Sequence, residues 1–193
     1  MGALLRDLRT IPNMISISRI ILLGIAIGVF YLTDHKAVAI FIGVIAGITD
    51  YLDGIMARRL NQETQLGAIL DQYADMIFES FGLLMACTYS ENHVSPIILA
   101  LYLPREFWVM TIRRTAEAKQ IIIPSVFIGK LKTNFMGWGF MCYFIAVTGV
   151  APWSEPWSLY LGYIGLYGGL VCSYISGGIY TREFIKAYDQ IAD

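Results

Sequence analysis

The chain has 193 residues, 56% of them hydrophobic and only 15% charged, with a net charge of −1. Soluble domains carry about 25% charged residues, so this composition, with a mean hydropathy of +0.59, excludes an ordinary soluble domain and points to an all-α polytopic membrane protein. The length suits a single domain over residues 1–193, and no nucleic-acid partner is expected. Cys87, Cys142 and Cys172 lie in apolar runs without CxxC spacing. They read as small core residues rather than as a redox or zinc site.

In chain order, residues 3–11 are short and amphipathic, with Arg6, Asp7 and Arg9 set among leucines. They predict a helix lying on the membrane surface. Pro12 suits the first turn of a new helix, and Asn13 to Leu32 is long enough for one span, which needs about 20 apolar residues. No cleavable signal peptide is expected, because this stretch lacks a small-residue cleavage site. Further spans are predicted at 37–59, 67–89, 95–114, 130–150 and 158–180. A polar loop at 61–65 separates the second and third spans, a connector at 120–129 precedes the fifth, and a polar tail closes the chain. The expectation is six transmembrane helices after one short surface helix.

Arg6, Arg9, Arg58, Arg59, Arg113, Arg114, Lys119, Lys130, Lys132, Arg182 and Lys186 fall on one side of this arrangement, with Lys36 on the other. The positive-inside rule then puts both termini, and the 59–66 loop, in the cytoplasm. The expected location is the cell (inner) membrane.

The stretch from Asp50 to Asp75 reads DYLDGIMARRLNQETQLGAILDQYAD. It sets four acids into an apolar chain, and acids within a membrane are costly and tend to be functional. Asp50, Asp53, Gly54, Ala57 and Arg58 share one helical face, and so do Gly67, Asp71 and Asp75. The short loop predicts antiparallel neighbours. At about 1.5 Å rise per residue, Asp53 and Asp71 lie roughly 7–9 Å inside their helix ends, and Asp50 and Asp75 roughly 12–13 Å. Four ionised carboxylates at such range repel strongly in a low dielectric. Divalent cations would remove the conflict, and oxygen ligands favour hard ions. Two metals suit phosphoryl chemistry. Gly54 and Gly67 leave room for a ligand to approach the backbone, although small residues at such spacing also serve helix packing. A cation transporter or channel is the rival class, disfavoured by the apolar outer half of the spans.

Asp-x2-Asp-Gly-x2-Ala-Arg-x8-Gly-x3-Asp-x3-Asp resembles the signature of the CDP-alcohol phosphatidyltransferases, and all eight fixed positions are present. The resemblance implies six transmembrane helices, a site facing the cytoplasm, a homodimer and two divalent cations, Mg²⁺ or Mn²⁺. It implies that an alcohol attacks CDP-diacylglycerol and that CMP leaves. It implies Asp50, Asp53, Asp71 and Asp75 as metal ligands and Asp75 as the base for the acceptor hydroxyl. Asp53, Gly54, Ala57, Arg58 and Gly67 would hold the cytidine diphosphate.

Two further stretches bear on the acceptor. Pro12-Asn13-x2-Ser16-x2-Arg19 is similar to an opening common in phosphatidylglycerophosphate synthases. Arg105-Glu106, Arg113, Ser125 and Gly129-Lys130-x-Lys132-Thr133 resemble another pattern of the same branch. Arg105, Arg113, Lys130 and Lys132 would then bind the phosphate of glycerol 3-phosphate, with Glu106 as a salt partner of Arg105. Near a helix end the same cations also serve topology or anionic lipid. Asp71-Gln72-Tyr73-Ala74-Asp75-Met76 departs from the synthase text, and ARRLNQ is similar to the inositol-transferring branch. Inositol phosphate, inositol and serine therefore stand as alternative acceptors. Glu79 reads as a supporting or interhelical residue, His35 and His93 as loop residues, the tryptophans as interfacial or packing residues, and the glycines from Gly162 onward as a close helix contact or a dimer face.

Overall fold

A computed structural model describes residues 10–60, 65–89, 94–121, 123–151 and 156–192. The surface helix expected over 3–11, most of the 61–65 loop, His93 and Trp153 lie outside them. The described residues form six helices and no strand. They are α1 (Ile11–Leu32), α2 (Lys36–Leu60), α3 (Gln65–Thr88), α4 (Ile97–Ala118), α5 (Phe127–Thr148) and α6 (Trp157–Ala192).

The first five match the expected spans closely, but the sixth runs on. The polar tail continues α6 as helix instead of leaving it. Its sequence explains why: Phe184 and Tyr188, one turn apart, place their rings 5.6 Å from each other, and Lys186 pairs with Glu183 at 3.1 Å. Such i,i+3 and i,i+4 contacts stabilise an exposed helix. Among the described residues, Asn13–Leu32 and Trp157–Gln190 are long and apolar enough to cross a membrane. Large apolar side chains stand exposed on α1 (Ile21, Ile25), α4 (Phe107, Trp108) and α6 (Ile164, Val171).

The chain divides into two compact units, residues 1–81 and 82–193, with the boundary inside α3. In the first unit Pro12 occupies the opening turn of α1, where its missing N–H costs nothing. Thr33 closes that helix, its hydroxyl donating to the Val29 carbonyl at 2.7 Å and accepting the His35 N–H at 3.1 Å. The turn lays α1 along α2. The buried face of α1 changes character along its length: Asn13, Ser16 and Arg19 come first, then Leu23, Ala26 and Phe30. On α2 the buried residues are small, Ala39 and Ala46, which lets the two backbones approach.

In the second unit α5 and α6 meet almost backbone to backbone. A methyl at Gly139 would lie 2.9 Å from the Gly165 backbone, and one at Gly162 would lie 2.8 Å from Tyr143. Gly169 similarly faces Met136. These α6 glycines therefore serve a contact within the chain, whereas Gly178 meets nothing. Helix α4 also packs on α6, joined by Trp108 Nε1 to Thr181 Oγ1 at 2.9 Å and by the Tyr174 hydroxyl to the Leu101 carbonyl at 2.9 Å. Lys119, just past the end of α4, donates to the Tyr188 hydroxyl at 3.2 Å.

Candidate active site

Two groups of polar side chains mark the chain, one in each unit. The first belongs to α1, α2 and α3. Helix α2 runs unbroken through Asp50, Asp53, Gly54, Ala57 and Arg58 to Leu60, but the side chains of those five residues lie outside the described set. With α2 ending at Leu60 and α3 starting at Gln65, Asp53 and Asp71 stand about 9–10 Å from their helix ends, and Asp50 and Asp75 about 15 Å. The two rungs expected from the spacing keep their matching depths.

Gly67, Asp71 and Asp75 follow one another at single-turn intervals on α3. The two carboxylates lie a turn apart, each side chain 51% exposed. Behind them sits Arg19 of α1, 1% exposed. Its Nη2 donates to Asp71 Oδ1 at 3.0 Å and to the Asp71 carbonyl at 3.4 Å. Its Nη1 donates to Asp75 Oδ1 at 3.3 Å. Ser16 and Asn13 are buried on the same face of α1, about one and two turns before Arg19. The PNxxSxxR stretch thus delivers a cation to the acids, a role that its resemblance alone did not assign. The signal was present as a polar i, i+3, i+6 stripe in an apolar span, since a charge there needs a partner. Glu79, one turn beyond Asp75, is also buried.

The second group joins α4, α5 and α6. Glu106 is its centre. One of its carboxylate oxygens accepts from Arg105 Nη1, from Lys132 Nζ at 2.9 Å and from Ser173 Oγ at 3.3 Å. Lys132 also donates to the Tyr102 hydroxyl at 3.2 Å, and Arg105 Nη2 to Ser176 Oγ at 2.5 Å. Arg105, Lys132, Tyr102, Ser173 and Ser176 are all buried, and Arg105 Nε has no hydrogen-bond partner among the described residues. Two cations converge on one carboxylate in a largely buried setting, where an anion is attracted far more strongly than in water.

Of the four cations expected to act together, only Arg105 and Lys132 join this group. Arg113 turns to Tyr180, donating to its hydroxyl at 2.7 Å with the guanidinium 4.7 Å over the ring. The same hydroxyl accepts the Val126 N–H at 3.2 Å, so Arg113 pins the start of α5. Lys130 stands exposed in the first turn of α5. Glu106, Ser173, Ser176 and Tyr102 were not read as site residues from sequence beyond the Arg105–Glu106 pairing. The serines sit in a tyrosine- and glycine-rich helix that looks purely structural until it is placed against α4.

The CDP-alcohol phosphatidyltransferase family profile matches residues 9–171. The chain belongs to that family. A relative from Aquifex aeolicus is 36% identical over 131 residues, covering 65% of this chain and 70% of its own length. One from Salmonella choleraesuis is 34% identical over 128 residues, 64% and 70% of the two chains. One from Wigglesworthia glossinidia brevipalpis is 30% identical over 171 residues, 86% and 90%. Each of these is named CDP-diacylglycerol–glycerol-3-phosphate 3-phosphatidyltransferase.

For a CDP-alcohol phosphatidyltransferase the described acids are a suitable donor set for hard divalent cations. Asp71 and Asp75 offer only oxygen, open to solvent on one side, and already share one cationic group. Among the described residues no three His, Cys, Asp or Glu side chains gather; Asp50 and Asp53, which would complete the set, lie outside them.

Proposed function

We propose that this enzyme transfers the phosphatidyl group of CDP-diacylglycerol to glycerol 3-phosphate, giving phosphatidylglycerophosphate and CMP. The observation that carries the acceptor is the buried pair of cations, Arg105 and Lys132, gathered around Glu106. An acceptor that keeps a phosphate while its hydroxyl reacts matches that charge, and the names of the relatives agree with it. Arg105 offers a planar fork and Lys132 a point charge to phosphate oxygens. Arg113 and Lys130 add positive charge at the same end of α4 and α5.

On the donor side, Gly54, Ala57, Arg58, Gly67 and Asp53 hold the cytidine diphosphate. Asp50, Asp53, Asp71 and Asp75 would hold two Mg²⁺ or Mn²⁺ ions, whose chemistry is to neutralise the diphosphate and stabilise the phosphate of departing CMP. Asp75 takes the proton of the acceptor hydroxyl. The hydroxyl oxygen bonds to the phosphatidyl phosphorus, and the bond from that phosphorus to the bridging oxygen breaks with its electrons leaving on CMP. A carboxylate is a weak base, so the positioning of both reactants supplies much of the rate.

The setting is the lipid bilayer of the cell membrane, crossed by six helices, with both termini and the site facing the cytoplasm and two copies forming a homodimer. The exposed apolar side chains on α1, α4 and α6 support membrane burial, and the basic residues at one set of helix ends support the orientation.

The test is CMP release by purified protein given CDP-diacylglycerol and Mg²⁺ or Mn²⁺, with glycerol 3-phosphate, inositol phosphate, inositol or serine in separate reactions. Glycerol 3-phosphate should support turnover, and chelation should stop it. Turnover with inositol or serine alone would overturn the acceptor, and no CMP with any acceptor would overturn the reaction.

A further inference from the structure

We propose that Arg19 is a positioning residue of the active site: its buried guanidinium holds the carboxylates of Asp71 and Asp75 in the orientation in which they take a divalent cation. The inference rests on the phosphatidyltransferase reading, and it concerns a residue of α1 outside the Asp50–Asp75 signature.

Burial comes first. The Arg19 side chain is only 2% exposed, while each carboxylate it meets is 51% exposed. The cation therefore stands behind the acids, on the packed side, and the acids stay open on the other. A charge so placed is strongly unfavourable without opposite charge beside it, so the acids determine where the guanidinium rests, and it in turn restrains them.

The fork geometry then accounts for the residue type. One planar group reaches two carboxylates a helical turn apart, Nη2 on Asp71 Oδ1 at 3.0 Å and Nη1 on Asp75 Oδ1 at 3.3 Å. A third contact, from Nη2 to the Asp71 carbonyl at 3.4 Å, ties the fork to the α3 backbone as well. Two exposed aspartates would otherwise sample several rotamers. Held at one oxygen each, they keep a fixed spacing. The charges also favour this role: one guanidinium set against two carboxylates relieves their mutual repulsion.

Helix α1 is built to place this group. Its buried face is polar over the two turns that end at Arg19 and apolar from Leu23 onward. The apolar part seats the helix, and the polar part reaches the acids. Partners that hydrogen-bond metal-binding carboxylates typically contribute 10–100-fold to metal affinity or activity.

The experiment measures Mn²⁺ binding by the loss of the free-ion spin-resonance signal, on full-length protein in nanodiscs, for wild type, Arg19→Gln and Arg19→Lys. Arg19→Gln should weaken Mn²⁺ binding about 10–100-fold. Arg19→Lys should also bind more weakly than wild type, because a point charge cannot span both carboxylates. In CMP-release assays the Mn²⁺ concentration for half-maximal rate should rise in parallel, with the KM for glycerol 3-phosphate unchanged. Should Arg19→Gln fail to fold, Arg19→Lys carries the test. Mn²⁺ binding as tight as wild type, or tighter, in the Gln variant would overturn the proposal and leave Arg19 as a packing ion pair. Full wild-type affinity in the Lys variant would overturn it too, since charge alone would then suffice. A wild type that binds no Mn²⁺ is a different result: it defeats the metal reading on which the inference rests.

Discussion

Glu106→Gln isolates the charge at the centre of the second polar group. The amide keeps the shape of the side chain and one oxygen, and removes only the negative charge. That charge faces Arg105 and Lys132, whose side chains are 7% and 10% exposed, while Glu106 itself is 16% exposed. Removing one partner of a buried ion pair costs about 3–5 kcal/mol, since it leaves a charge uncompensated. In a chain of this size each 1 kcal/mol lowers Tm by about 2–4 °C, so Tm should fall by about 6–20 °C. The second limb is specific to the proposed role. With Glu106 neutral, two buried cations lose the carboxylate they share, so an added phosphate ion should fill the position. Inorganic phosphate at 100 times its Kd would restore about 2.7 kcal/mol. The assay is thermal unfolding of the detergent-solubilised protein, with phosphate titrated against chloride of equal ionic strength. Glu106→Gln should gain more from phosphate than wild type does. A Tm within about 2 °C of wild type, with no added response to phosphate, would refute the idea that Glu106 balances a buried anion site.

Arg105→Lys should raise the KM for glycerol 3-phosphate about tenfold or more, because one charge-assisted hydrogen bond contributes about 1.5–3 kcal/mol; unchanged kcat/KM would leave Arg105 a packing residue. Asp75→Asn should abolish CMP release while the melting curve shifts by only a few degrees, as its side chain is half exposed, and near-normal turnover would remove Asp75 as the base. Gly165→Ala should destabilise by about 1–3 kcal/mol from overpacking, since the added methyl would lie 2.8 Å from the Phe135 carbonyl. Gly137→Ala, where a methyl meets nothing, should be neutral or gain up to about 1 kcal/mol from helix propensity. Equal melting temperatures for the two alanine variants would contradict the close α5–α6 contact.

The helices were legible because an apolar run near twenty residues has few other uses. The acids were legible because Asp71 and Asp75 repeat at one-turn intervals in such a run. What escaped depends on partners distant in sequence. Arg19 shows locally as the end of a polar stripe in an apolar span, but its partners do not, because its acids lie 52 and 56 residues onward. Glu106 was visible only as a neighbour of Arg105, while its contact with Lys132 is made by a different helix. Arg113 shared a charge and a helix with Arg105, but Tyr180 intercepts it, and no spacing rule foretells an aromatic partner on α6. After Tyr180 the sequence shows only rising polarity, while the helix continues to Ala192. Polarity marks where a helix leaves lipid, and says little about where its hydrogen bonds end.

Helix α6 has 36 residues, a rod of about 54 Å, against a hydrocarbon layer of about 30 Å. The excess belongs to the same rigid body as the embedded part. A helix longer than its bilayer adapts by tilting, so a thinner membrane would swing the far end of this rod sideways. Trp108 and Lys119 fasten α4 to the rod at Thr181 and Tyr188, and Gly139 lies against it at Gly165. The three helices would lean together, carrying Arg105 and Lys132 with them. The depth of the proposed acceptor-phosphate site would then follow the thickness of the surrounding lipid, making bilayer composition a mechanical input to lipid synthesis.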